Sequence, residues 1–139
     1  MRGVMFDNRH SYWDWGLMLK STPKISAPEV KTHYVDVPGL HGQLDLSTLL
    51  TGGVRYKERK IEFEFITMAD HDTWPAIYSD ILNELHGQKK KITFDDEPTY
   101  FYTGRVHVAE SERDKKTVTL KITAEVEPFK RNSEGVEML

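Results

Sequence analysis

The stretch KTVTLKITAEVEPF, residues 116–129, sets Val118, Leu120, Ile122, Ala124 and Val126 on one side and threonines, Lys121 and Glu125 on the other. Successive side chains of a strand point to opposite faces, so a period of two predicts a strand with one face on a core and one in water. Working outward, TYFYTGRVHVAES (99–111) carries Tyr100, Tyr102, Val106 and Val108 in one phase, and KKKITFD (89–95) carries Ile92 and Phe94. The breakers between these runs, DDEP and ERDK, are short and polar. They predict hairpin connections and a three-stranded antiparallel meander. Upstream, RKIEFEFITM (59–68) alternates Ile61, Phe63 and Phe65 against Lys60, Glu62 and Glu64 in the same way.

Between these strands the period changes. In DHDTWPAIYSDILNELHG (70–87) the apolar residues Trp74, Ile77, Tyr78, Ile81, Leu82 and Leu85 recur in steps of three and four, which is one face of an amphipathic helix. Asp72 or Thr73 is placed to cap it, Pro75 suits its first turn, and Gly87 suits the position past its end. The first sixty residues are less regular. WGLMLKS and EVKTHYVDV read as strands separated by TPKISAP. PGLHGQLDLS places Pro38, Gly39 and Gly42 among Leu40, Leu44 and Leu46, which predicts a projecting hairpin. The end, RNSEGVEML, shows no pairing pattern and reads as a frayed tail. The fold class expected is mainly β (α+β), an antiparallel β-sandwich flanked by one α-helix, with residues 1–130 as a single domain and 131–139 as a flexible tail.

Composition narrows the function. The chain of 139 residues has no cysteine, which excludes disulfides, thiolate zinc sites and a cysteine nucleophile. Its net charge is −3 with both signs interspersed, so no basic field is present to hold duplex nucleic acid. No apolar run approaches the ~20 residues of a membrane span, and MRGVMFDNRHSYWDW lacks the apolar core of an export signal.

The candidate chemistry resolves into ordinary structure. Asp95, Asp96 and Glu97 stand in a row, but side chains at a hairpin tip splay apart where a metal needs converging ligands. The expectation is a solvated turn. His71 and His86 on the helix form no H-x-x-x-H pair, and His107 falls on the outward face of its strand. Ser11, Ser47, Ser79 and Ser111 lie in no G-x-S-x-G. LLTGGVRYKERK lacks phosphate-loop spacing and is followed by a strand, so Gly52-Gly53 reads as a turn. Trp74 reads as a core anchor. Trp13 and Trp15 read as a cover over one end of the sandwich, with a subunit contact or a platform for a sugar as the alternatives. No catalytic, cofactor or metal site is expected.

Four stretches in order carry a resemblance: FDNRHSYWDWGLML, EVKTHYVDVPGLHGQLDLSTLLTGGVRYKERKIEFEF, LHGQKKKITFDDEPTYFYTGRV and TLKITAEVEPFK. Together, from about residue 4 to residue 130, they resemble the N-terminal domain of the distal tail proteins of long-tailed bacteriophages with non-contractile tails. The resemblance implies a β-sandwich with one flanking helix, related to phage tail-tube proteins. It implies a virion structural protein, made in the host cytoplasm from a phage or prophage, that assembles as a hexameric homo-oligomer at the tail tip. Such a ring joins the tail tube to the tail-tip, host-recognition proteins, and DNA passes through it without specific binding. A tail-tube or tube-terminator subunit shares the same plan. Many relatives carry a second, sometimes carbohydrate-binding, domain; this chain ends at Leu139 and that activity is not carried over. The expected subunit interface is the arm around Val35, Val37, Leu40, Leu44 and Leu46. Lys57, Glu58, Arg59 and Lys60 are candidates to set register against the acidic turn of a neighbour.

Overall fold

The computed structural model describes residues 3–47, 52–68, 70 and 72–139. In chain order these form β1 (Val4–Phe6), β2 (Arg9–His10), α1 (Ser11–Trp15), β3 (Met18–Leu19), β4 (Lys24–Ile25), β5 (Tyr34–Val35), β6 (Leu44–Asp45) and β7 (Arg59–Met68). Then follow α2 (Trp74–Leu85), β8 (Lys89–Phe94), β9 (Tyr100–Arg113), β10 (Thr117–Val126), β11 (Lys130–Asn132) and β12 (Glu137–Met138).

The expected meander is present: β8 pairs with β9, and β9 with β10, both antiparallel. The sheet runs β2-β1-β8-β9-β10-β7-β3, with β4 also on β7 and the pair β11–β12 continuing beside β9. The alternation read from the sequence is the alternation of burial. Ile61, Phe63 and Phe65 of β7 and all five apolar residues of β10 are buried. Four strand steps separate β1 from β7, roughly 19 Å in a flat sheet at ~4.8 Å per step. Yet the rings of Phe6 and Phe63 meet edge to face with centroids 5.8 Å apart. The sheet therefore curls over until its two ends face each other, and a sandwich-like core forms between them. Phe63 also meets Phe94 at 5.7 Å, and Phe94 meets Tyr102 at 5.9 Å, so aromatic rings run across the interior.

Helix α2 covers the core by the face its periodicity predicts, with Trp74, Ile81 and Leu85 buried and Ile77, Tyr78 and Leu82 packed at the margin. Thr73 is the N-cap residue but makes no side-chain cap bond, and Pro75 sits in the first turn.

Three expectations are corrected. Only Met18–Leu19 of WGLMLKS is strand, because Trp15 closes the short helix α1. Of EVKTHYVDV only Tyr34–Val35 is strand, with Val30 bridging singly to Tyr56. The tail expected to be unpaired is paired, with Arg131 opposite Phe101 and Glu137 opposite Arg131. Its alternation was too short to read, and its partner is a strand thirty residues away in sequence. In β9 the expected phase of Tyr102, Val106 and Val108 holds, and it is lost only beyond Val108. A bulge shifts the register so that Val108 faces Ile122 while Glu110 faces Lys121, and Ala109 is the extra residue.

Candidate assembly surface

The acidic turn is not the free, solvated tip its composition suggests. Asp95 Oδ2 accepts the backbone N–H of Gly3 at 2.9 Å, and His10 Nε2 lies 3.0 Å from Asp95 Oδ1. The Asp95 N–H in turn donates to the Gly3 carbonyl at 3.2 Å. Glu97 Oε1 lies 2.7 Å from Lys130 Nζ, which also sits over the Tyr100 ring. Two of the three carboxylates thus tie the turn to the N-terminal segment and to β11. The turn composition was read correctly, but the partners come from remote parts of the chain.

His10 is the residue that the sequence did not single out. It is buried and caps α1: its Nδ1 accepts the N–H groups of Tyr12 at 3.1 Å and Trp13 at 3.3 Å. A nitrogen that accepts two N–H bonds carries no proton, so Nε2 is the donor to Asp95. The adjacent Ser11 is fully buried, and its Oγ accepts the N–H of Val4 at 3.0 Å. A serine, histidine and aspartate therefore stand close together, but the nitrogen that could act as a base is already occupied by backbone. The cluster is a clasp, not a catalytic triad. Its only advance signal was the helix-start pattern HSYWD, in which Asp14 Oδ2 also accepts the N–H of His10 at 2.6 Å.

A second polar cluster joins α1 to α2. Asp80 Oδ2 accepts Trp15 Nε1–H at 2.9 Å and Arg9 Nη2–H at 2.7 Å. These bonds, that of Trp15 first, hold the Asp80 carboxyl below its ordinary range. The Arg9 guanidinium lies over the Trp15 ring at 4.9 Å. Trp15 is buried while Trp13 is 75% exposed, so the two indoles do not form one flat platform. Trp13 instead packs edge to face on Tyr12 at 4.9 Å.

His86 and His107 meet edge to face at 6.1 Å, and His86 Nδ1 accepts the Val108 N–H at 3.0 Å, joining the end of α2 to β9. His71 lies outside the described residues, as do residues 48–51 ahead of Gly52-Gly53. Among the described residues no group of three histidine or acidic side chains stands together as a metal site.

The arm is the expected subunit interface. Among the described residues, strands β5 and β6 pair only with each other, Tyr34 facing Asp45 and Val35 facing Leu44. The base is tied down by backbone bonds from Lys31 to Arg55 and from Lys57 to Glu29, both 2.8 Å. At the tip, the Leu40 N–H returns to the Val37 carbonyl at 3.1 Å across Pro38 and Gly39, whose φ is 88°. Proline followed by a residue at positive φ is the pattern of a type II turn, and glycine enters that region without strain. Tyr34, Leu40 and Leu44 are 51%, 56% and 45% exposed, while Val35, Val37 and Leu46 are half-buried. Three of the charges considered as register-setters, Lys57, Arg59 and Lys60, are engaged at home. Lys57 pairs with Glu29 at 3.4 Å, Lys60 with Glu62 at 3.2 Å, and Arg59 donates to the Ser26 and Pro128 carbonyls.

The sequence matches no family model and no curated protein. Among solved structures, the chain is similar to the Dit protein of phage SPP1, described as a paradigm of the hub adsorption apparatus in phages that infect Gram-positive bacteria. The TM-score is 0.70 at 19% identity, over 95% of this chain and 52% of that one. The chain spans about half the length of that protein, and what the two share is the fold: an antiparallel β-sandwich with one main helix.

Proposed function

We propose that this chain is a structural component of a bacteriophage tail, a distal tail protein that assembles as a hexameric ring between the tail tube and the host-recognition tip. The observation that carries this reading is the fold shared with SPP1 Dit across 95% of the chain. The arm supports it independently. A two-stranded hairpin alone is marginally stable in water, and Tyr34, Leu40 and Leu44 expose apolar surface of the kind that awaits a partner. A head-to-tail contact whose rotation closes makes a ring, each copy offering two different faces. DNA passes through the hole without specific contacts, and the ring's partners are tail-tube and tail-tip proteins.

The test is the mass in solution across a concentration series, followed by negative-stain imaging. The expected result is a closed ring of subunits. A protein that stays monomeric at high concentration and with its tail partners added overturns the reading. Stacked tubes in place of single rings favour the tail-tube alternative, which shares the sandwich and helix. A small sugar-binding module on Trp13 and Trp15 is disfavoured by the burial of Trp15.

A further inference from the structure

We infer that the Leu40 tip of one copy seats in a groove of the next, between the β3–β4 segment and the acidic turn that joins β8 to β9. This rests on the ring reading above and names its contact. The groove measures about 180 Å³ and is walled by Leu19, Pro23, Ile25 and Phe94, with the carboxylates of residues 95–97 on its rim. Such a volume takes a side chain or two, not a helix or a strand. The tip offers a matching shape: Leu40 projects from the Pro38-Gly39 turn, with His41 exposed beside it.

An apolar knob flanked by an imidazole suits an apolar hole rimmed by carboxylates. The imidazole donates an N–H, and a carboxylate oxygen keeps accepting capacity beyond the bonds it already makes. The two halves do not satisfy each other within one chain, since Leu40 is 56% and Ile25 39% exposed. Tip and groove lie on different elements, so the contact can repeat head-to-tail from copy to copy, as a ring requires.

The chain has no cysteine, which makes cross-linking unambiguous. Leu40→Cys mixed with Ile25→Cys under mild oxidation gives a disulfide-linked dimer on a non-reducing gel. The double variant Leu40→Cys/Ile25→Cys gives a ladder that ends at the ring. His41→Glu, which sets a carboxylate against the acidic rim, lowers the yield severalfold, with circular dichroism as the fold control. Lys115→Cys, on the turn between β9 and β10, gives no dimer with Leu40→Cys.

Absence of the intermolecular bond while the unmodified protein assembles overturns this contact and leaves the ring standing. An intrachain bond alone, or equal cross-linking to Lys115→Cys, also overturns it. A protein that is monomeric throughout overturns the contact and the ring reading together.

Discussion

The imidazole of His10 bridges two distant parts of the chain: Nδ1 holds the first turn of α1, and Nε2 lies 3.0 Å from Asp95 Oδ1. Asp95→Ala strands the Gly3 N–H and the His10 Nε2–H together. Leaving buried donors unmet costs about 1–3 kcal/mol. Urea melts are expected to show that loss for Asp95→Ala, while Lys116→Ala, on the exposed turn between β9 and β10, stays within about 0.5 kcal/mol. Equal, negligible losses would restore the picture of a solvated tip.

Helix α2 holds the core by Ile81 and Leu85, both fully buried. Ile81→Ala leaves a cavity and is expected to cost ~2–5 kcal/mol. Ser79→Ala on the exposed side is expected to stay within about 0.5 kcal/mol. Denaturant midpoints for the two variants check the orientation of the helix.

Gly104 lies opposite Val126 where β9 and β10 approach closely. A Cβ there would collide with the Glu125 carbonyl oxygen and the Val126 Cα, both backbone atoms of the neighbouring strand. Backbone in mid-sheet has little room to yield, so Gly104→Ala is expected to destabilise by at least about 1–3 kcal/mol. Thermal melts that leave Gly104→Ala as stable as the parent would contradict that packing.

The Asp80 carboxyl, held low by the Trp15 indole N–H and then by Arg9, links stability to acid. Its folded-state pKa is depressed below the ordinary 3.8. Its contribution is therefore fully present above 3.8 and is lost as pH falls through the folded value. Because the side chain is half-exposed, the effect is small. Asp80→Asn is expected to reduce the acid-side slope of stability below about pH 4 and leave the neutral-side slope unchanged. Melting temperatures at a series of pH values measure both slopes.

The sequence by itself determined the elements that carry a long periodic signal. Ile61, Phe63 and Phe65 in β7, the five apolar residues of β10 and the buried face of α2 were legible because burial repeats with the geometry of strand and helix. The polar breakers at 95–98 and 112–115 fixed the meander because hairpin turns are local. The tertiary structure decided everything that depends on a partner far away in the chain. Short strands such as β3, β11 and β12 hold too few residues to show a period; β3 and β11 exist because β7 and β9 offer them an edge, and β12 pairs in turn with β11. The bulge at Ala109 is a property of two strands together, not of one. The acidic turn shows the difference most plainly. Its residue types announce a turn, but only folding brings Gly3 and His10 to Asp95, and Lys130 to Glu97, because hydrogen bonds and ion pairs depend on distance in space and not along the chain.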